Sequence, residues 1–309
     1  MRLIIDTDAG VDDAQAIIMA LTYPGVTVEA ITTVTGNVHV TQVTPNVLTI
    51  LDLIGCDVPV YQGADQPLLP GFWEPENRVH GNDGLGNLPN RVPSRRSVEP
   101  ESAAVALVRL ANEAPGEFTL IALGPMTNVA LACRLDPAFP QKIKRFVFMG
   151  GTISAFGNTK HVTAEFNVHC DPEAAYMVLH AFPASTMLSW ETTVQHPFPW
   201  EQYEELAAIN TPVGRFFRDT TAPSVKFLKG FRQLRGFLLP DPLAMALTLN
   251  PGVIEASDKH FVTVELQGLQ TRGQTVVDYL GLLGQPPNVH VVTQVKVDQI
   301  YQMYLDMLS

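Results

Sequence analysis

The chain has 309 residues, of which 46% are hydrophobic, and a formal net charge of −11. This length and apolar content allow one large core, so we predict a single domain over residues 1–309. The 20 Lys and Arg residues are scattered, which argues against a nucleic-acid partner, and the acidic net charge indicates either a small-molecule substrate or simply solubility.

Two further signals concern cellular context. No segment reaches the roughly 18 apolar residues of a membrane helix, and residues 1–6 lack the apolar region of a signal peptide, so no membrane association is expected. The three cysteines, Cys56, Cys133 and Cys170, show no C-x-x-C spacing. We interpret them as reduced thiols in a cytoplasmic protein.

Short apolar runs alternate with segments of helical length from the first residues onward. The pattern predicts strands at 3–5, 26–34 and 58–61 and helices at 14–21 and 43–54, followed by a helix at 103–112, a strand at 118–123, a helix at 128–133, a strand at 145–149, a helix from Pro172 and a strand at 186–189. Such alternation is typical of right-handed βαβ units. We therefore predict an α/β fold with a mostly parallel, doubly wound central sheet.

Other parts of the sequence depart from this alternation. Residues 62–100 are rich in Pro, Gly and Asn, and a loop of that length is commonly functional. Residues 213–235 have a helical pattern. Residues 254–297 alternate like antiparallel strands before a closing helix at 298–308, so we expect a small antiparallel region near the C-terminus.

Four aspartates, Asp6, Asp8, Asp12 and Asp13, lie within eight residues at the end of the first predicted strand. In open α/β sheets this edge binds ligands. Four carboxylates so close together repel one another unless a cation or hydrogen-bond donors compensate. Oxygen ligands without Cys or His favour Ca²⁺ or Mg²⁺ over zinc. The alternative is that these residues only cap the turn and the helix start.

Several motifs occur in order along nearly the whole chain. They are D-T-D-A-G-V-D-D-A at 6–14, T-G-N at 35–37, H-G-N-D-G-L-G from 80, L-G-P-M-T-N-V-A at 123–130, F-M-G-G at 148–151, E-F-N-V-H-C-D-P-E-A-A from 165, D-P-L-A at 241–244 and R-G-Q-T-V-V-D at 272–278. Together they resemble the inosine-uridine preferring nucleoside hydrolase family. The resemblance implies a Ca²⁺-dependent enzyme that hydrolyses the N-glycosidic bond of ribonucleosides, assembled as a homodimer or homotetramer.

The resemblance also implies roles for individual residues. The metal ligands would be Asp8, Asp13, the Leu123 carbonyl and Asp241, and Asp8 would also act as general base. The substrate-binding residues would be Asp12 and Asn37, which contact the ribose or the water, Asn158, Glu165 and Asn167, which contact the ribose hydroxyls, and Met149, which packs beneath the sugar. Asp6 would support them.

Simpler interpretations exist for some of these residues. Asn37 follows a glycine and is suited to a turn, and Glu165 is suited to an exposed loop. Asp241 precedes a proline and is suited to capping a helix. Met149 is suited to the core.

The chain departs from the family pattern where several relatives carry a histidine suited to protonating the leaving base. That position is Pro240, which cannot donate a proton. We consider His80 as the replacement catalytic acid, aromatic stacking on the base as a second possibility, and positively charged or polar groups within residues 226–235 as a third. The aromatic candidates are Trp73, Phe166, Phe227 and Phe231. The preference for purine or pyrimidine stays open.

Two rival functions are kept. A phosphohydrolase of the haloacid dehalogenase type also places D-x-D after its first strand, but this chain lacks the late G-D-x-x-x-D pattern and has Gly10 where Thr or Val is usual. The other rival is a catalytically silent nucleoside- or ribose-binding protein, because metal and ribose sites can persist without activation of the leaving group.

Overall fold

The computed structural model describes residues 1–70, 73, 75, 77–89, 91–231 and 233–309, without the side chains of Asn77 and Phe231. Its strands are β1 (Arg2–Thr7), β2 (Thr27–Thr33), β3 (Val60–Gln62), β4 (Phe118–Ala122), β5 (Arg145–Met149), β6 (Ser185–Leu188), β7 (Phe198–Pro199), β8 (Gly236–Phe237), β9 (Ile254–Val264), β10 (Thr275–Asp278) and β11 (Val289–Val295).

The helices alternate with these strands over most of the chain. They are α1 (Val11–Thr22), α2 (Val40–Ile54), α3 (Asn77–His80), α4 (Ala103–Glu113), α5 (Thr127–Leu135), α6 (Phe139–Lys142), α7 (Phe166–Cys170), α8 (Pro172–Ala181), α9 (Trp190–Gln195), α10 (Trp200–Ala207), α11 (Pro212–Val225), α12 (Pro240–Leu249) and α13 (Val297–Leu308). A π-helix spans Lys226–Phe231 and a 3₁₀ helix spans Pro251–Val253. Within the described part of the chain, no helix combines the length and apolar character that a membrane crossing requires.

A nine-stranded sheet has the order β10-β9-β11-β6-β5-β4-β1-β2-β3. Every neighbouring pair from β11 to β3 is parallel, whereas β9 pairs antiparallel with both β11 and β10. The predicted fold class is confirmed, although the antiparallel strands extend the central sheet instead of lying apart from it. A separate two-stranded sheet pairs β7 with β8.

Helices cover both faces of the sheet. Because successive side chains of a strand point to opposite faces, both sets of side chains are buried. In β1, Leu3 and Ile5 pack with helices α1, α2, α12 and α13, while Ile4 packs on the other face with α4, α5 and α8. All five residues of β4 are buried. Full burial of each large aliphatic side chain stabilises the fold by about 1.5–3 kcal/mol.

The strand order reverses between β1 and β4, since β2 and β3 lie on one side of β1 while β4, β5 and β6 lie on the other. Loops at the carboxyl ends of such a pair diverge and leave a crevice. Asp8 follows β1 and Leu123 follows β4 at this edge. The topology therefore brings the aspartate motif and the L-G-P-M-T-N motif to one place.

Candidate active site

The carboxylates of the aspartate motif meet a residue from the opposite end of the chain. Asp13 lies in the first turn of α1, and Asp241 lies in the first turn of α12, which packs against α1. Carboxylate oxygens of Asp12, Asp13 and Asp241 lie within 4.8 Å of one another. Leu239 is the N-cap of α12, so Asp241 is not the cap of its helix. The fold thus assembles an acidic cluster that is suited to a cation.

Asp8 is fully buried beside this cluster. Its Oδ2 accepts the Asn37 backbone N–H at 2.7 Å, while its Oδ1 has no hydrogen-bond partner in the described structure. A Cβ atom built on Gly36 would lie 2.1 Å from Asp8 Oδ2, and one on Gly124 would lie 2.9 Å from Asp8 Cγ. The backbone must therefore approach the carboxylate closely on two sides, which only glycine permits.

Hydrogen bonds hold Asp13 and Asp6 in place. Asp13 Oδ2 accepts from Gly10 N at 2.9 Å and from Asn37 Nδ2 at 3.1 Å. Asp6 Oδ1 accepts from Asn128 Nδ2 at 2.8 Å and from the Thr32 hydroxyl. Asn37 therefore bridges the carboxylates of Asp8 and Asp13, which is more than a turn residue does, whereas Asp6 bonds to Asn128 and Thr32 outside the cluster.

The acidic cluster needs positive charge. Burial, followed by the charge of Asp13, raises the pKa of Asp8 well above its ordinary value. Burial, followed by the charges of Asp12, Asp13 and Asp8, does the same to the pKa of Asp241. Burial also raises the pKa of Asp12, whose Oδ1 has no hydrogen-bond partner among the described residues. A bound cation would supply the missing partner and restore the ionised forms.

A second group of predicted residues lies after β4 and β5. Asn167 Nδ2 donates to the Leu123 carbonyl at 2.6 Å and to the Met149 carbonyl at 3.2 Å. Glu165 caps α7 and accepts from Gly151 N and Asn167 N, both at 2.9 Å, and from Val168 N at 3.2 Å. Glu165 is only 2% exposed, so it is not a solvated loop charge.

A cavity with about 810 Å³ of empty space, part of it open solvent, lies over these groups. The predicted residues that line it are Asp12, Asn37, His80, Leu123, Met149, Asn158, Glu165, Phe166, Asn167 and Asp241. Asp8 and Asp13 lie fully buried alongside. The buried Oδ1 atom of Asn158 has no partner among the described residues, which leaves it available to a ligand.

His80 contacts the start of α1. Its Nδ1 accepts the Val11 N–H at 3.1 Å and lies 3.6 Å from Asp12 Oδ1. Because Nδ1 is an acceptor, the proton of the neutral ring is on Nε2. The Nε2–H group is therefore the one that a ligand can meet.

The aromatic candidates for stacking on the base lie at different places in the structure. Phe166 lines the cavity. Trp73 Nε1 donates to the Gly36 carbonyl, and its ring packs edge-on against His39, outside the cavity lining. Phe227 lines a different surface cleft with Arg78 and Lys226. The side chain of Phe231 lies outside the described structure, as does Arg232 within the segment 226–235.

Sequence reasoning missed several residues of the cavity wall. They are Val11, Gln15, Val79, Trp190, Ser224, Leu228, Phe237 and Leu238. Pro240, which the sequence had already singled out, also lines the cavity. Most are apolar and come from helices and short strands whose patterns look like ordinary core. Only the tertiary arrangement places them at the site.

Glu191 was also missed, and it fixes the loop that leads to Asn158. Its carboxylate accepts from Ile153 N, Ser154 N, Ser154 Oγ and Phe156 N at 2.8 to 3.2 Å. Glu191 is 4% exposed. The loop therefore reaches the cavity with a defined backbone.

Residues 3–302 match the model of the inosine-uridine preferring nucleoside hydrolase family. The chain belongs to this family. It is 37% identical over 285 residues to probable uridine nucleosidase 1 of Oryza sativa subsp. japonica, covering 90% of this chain and 85% of the rice protein. It is 34% identical to the non-specific ribonucleoside hydrolase RihC of Salmonella newport, covering 100% of this chain and 98% of the other.

Solved structures of nucleoside hydrolases are also similar to this chain. An inosine-guanosine nucleoside hydrolase superposes with a TM-score of 0.92 at 35% identity, covering 99% of this chain and 98% of that one. A purine-preferring ribonucleoside hydrolase from Gardnerella vaginalis superposes with a TM-score of 0.91 at 30% identity, covering 100% and 98%. This nucleoside hydrolase is therefore an N-ribohydrolase, and the phosphohydrolase alternative is not favoured.

Glu165 gives this nucleoside hydrolase an expected pH dependence of stability. Burial raises the pKa of Glu165 from 4.5 to about 7. Between these values the unfolded chain has released the proton while the folded chain retains it, so stability falls as pH rises, by about 1.4 kcal/mol per pH unit. We expect Glu165→Gln to remove this contribution. Unfolding midpoints in urea, measured with a metal chelator at several pH values between 4.5 and about 7, test this expectation.

The exposed Glu117 supplies the control. Glu117→Gln should leave the pH slope of the parent protein unchanged. If Glu165→Gln retains the full slope, another group causes it.

Proposed function

We propose that the chain hydrolyses ribonucleosides to free base and ribose by attack of a water molecule that Asp8 deprotonates. The observation that carries this proposal is the Asp8 carboxylate, which is buried at the sheet crevice with Oδ1 unpaired among the described residues, beside the carboxylates of Asp13 and Asp241. A general base needs an oxygen that no other group of the protein occupies.

The donor set fits Ca²⁺. The proposed ligands are the carboxylates of Asp8, Asp13 and Asp241 and the carbonyl of Leu123, all of them oxygen donors, as a hard cation requires. Leu123 O already accepts from Asn167, but a carbonyl oxygen has a second lone pair. Bound Ca²⁺ would lower the pKa of water and hold the ribose hydroxyls.

The other cavity residues then have defined tasks. Asp12 and Asn37 contact the ribose or the water, and Asn158, Glu165 and Asn167 contact the remaining ribose hydroxyls. Met149 packs beneath the sugar and His80 meets the ligand through Nε2–H. The reaction passes through an oxocarbenium-like sugar, so these groups hold the ring while positive charge develops on it.

The direct test incubates purified protein with a panel of purine and pyrimidine ribonucleosides, with and without a Ca²⁺ chelator, and measures free base and ribose. We expect release of base that stops in chelator and returns with Ca²⁺. Tight binding of a ribonucleoside without release of base would instead support a silent binding protein.

The proposed grip on the ribose hydroxyls predicts strong discrimination against deoxyribose. Hydrogen bonds that are left unmade in a buried polar site cost about 1–3 kcal/mol each. We therefore expect kcat/KM for 2′-deoxyinosine to be at least about 100-fold lower than that for inosine. Base release measured side by side decides this, and equal rates would contradict the proposed ribose contacts.

We also propose a cytoplasmic homodimer or homotetramer. Leu280 and Leu282 are 80% and 81% exposed just after the edge strand β10, and Tyr279 and Leu283 beside them are more than half exposed. Such an apolar patch supports contact with another copy. The molar mass from light scattering during gel filtration tests this assembly.

A further inference from the structure

Helix α1 contributes to the cavity wall a polar side chain that has no role so far. Gln15 lines the cavity and is 2% exposed. Its Nε2 donates to the Val11 carbonyl at 3.0 Å, and its Oε1 accepts from the Tyr304 hydroxyl at 2.7 Å. A primary amide carries two N–H groups. The second one donates to no residue that the structure describes, so it is available to a ligand.

Tyr304 determines which way the Gln15 amide faces. Tyr304 is fully buried in α13, and burial, followed by the charges of Asp12 and Asp241, raises the pKa of its phenol well above the ordinary value. The hydroxyl therefore keeps its proton and donates it to the oxygen of the amide. This leaves the amide nitrogen on the side of Val11, which also lines the cavity.

Gln15 lies next to the acidic cluster on α1, three residues after Asp12 and two after Asp13. Val11, Asp12 and Asp13 form the first turn of the helix, and Gln15 follows Val11 by four residues on the same helix face, a rise of about 6 Å. Pro240 lines the same cavity from α12. In the proposed function the cluster and the asparagines contact the ribose and the water, which leaves Gln15 and Pro240 as cavity-wall residues without an assigned contact.

We propose that Gln15 contacts the leaving base and donates its second Nε2–H to a ring nitrogen or carbonyl oxygen of that base. This inference rests on the proposed ribonucleoside hydrolysis. It supplies a hydrogen-bond donor at the base, which Pro240 cannot do because its ring lacks an N–H group.

Gln15 donates a hydrogen bond to the leaving base but transfers no proton to it. The bond between ribose C1′ and the base nitrogen breaks, and its electron pair moves onto the base. The water oxygen bonds to C1′, the water proton passes to Asp8, and the base takes a proton from solvent. The Gln15 amide keeps both hydrogens and stabilises the negative charge that develops on the base. One donor of this kind contributes about 10²–10³-fold to the rate in a water-excluded site, and less in an open one.

The test replaces Gln15 by methionine, which has a similar length and no N–H group. Inosine and uridine are compared with 4-nitrophenyl β-D-ribofuranoside, whose leaving group departs as a stable anion. We expect kcat for inosine or uridine to fall by roughly 10- to 100-fold, and kcat for the nitrophenyl riboside to fall by less than about threefold. Equal losses on all substrates would overturn the proposal, because they would indicate a packing role.

Two further measurements complete the test. Tyr304→Phe keeps the amide but removes the hydroxyl that orients it, so it should show the same dependence on the leaving group with a smaller loss. Calorimetric titration should show weaker binding of free hypoxanthine to Gln15→Met and unchanged binding of ribose. A wild-type protein that binds both products but cleaves no ribonucleoside would refute the proposed function, and hypoxanthine binding would then decide the role of Gln15.

Discussion

Replacing Asp8 with alanine is expected to lower kcat for every ribonucleoside by at least about 10³-fold. The substitution removes the proposed base and one proposed cation ligand together. Asp8→Asn should be as inactive, because it keeps the side-chain shape between Gly36 and Gly124 but loses the negative charge. Steady-state release of free base measures both variants.

The matched control is an aspartate outside the site. Asp57 has an exposed side chain and pairs with Arg96 on the surface, so Asp57→Asn should retain the parent rate. Full turnover by Asp8→Ala on any ribonucleoside would remove Asp8 as base and as ligand.

Adding Ca²⁺ to chelator-treated protein is expected to raise the melting temperature by roughly 5 °C when Ca²⁺ reaches a hundredfold excess over its Kd. The reason is that burial, followed by repulsion from neighbouring carboxylates, raises the pKa values of Asp8, Asp12 and Asp241. A cation that binds only the folded cluster relieves this repulsion. Thermal unfolding followed by circular dichroism gives the shift.

Asp241→Asn supplies the control for the cation, since it removes one proposed ligand at the first turn of α12. We expect it to lose most of the shift. Mg²⁺ should produce a smaller shift than Ca²⁺, because it demands stricter octahedral geometry. An unchanged melting temperature with both ions would show that the cluster is satisfied without a divalent cation.

Much of the fold was predictable because each parallel strand is a short apolar run flanked by amphipathic helices. The predicted strand at 145–149 coincides with β5, and the closing helix at 298–308 differs from α13 by one residue. The pairing of β11 with β6 was not predictable, because residues 289–295 alternate like an antiparallel strand while their partners lie about a hundred positions earlier. The alternation of apolar and polar residues along a strand does not reveal which strand it pairs with.

The candidate site was predictable where motifs carry the chemistry. Asp13, Asn37 and Asp241 lie together as expected from the motifs. Gln15 and Glu191 were not predictable, because a glutamine on an apolar helix face and a glutamate in a helical first turn look like ordinary residues. Their roles depend on contacts with Tyr304 and with the loop at 153–156, which only the folded chain makes.

The hydrogen bond between Gln15 and Tyr304 joins residues 289 positions apart. The ribosome synthesises the aspartate motif well before α13, so the nascent chain holds most of the proposed cation ligands long before the Tyr304 hydroxyl that bonds to Gln15 emerges. Asp241 also arrives late. The acidic cluster is consequently complete only after α12 is synthesised, and the contact between Gln15 and Tyr304 forms only after α13 follows, so fragments that end before α12 would lack both.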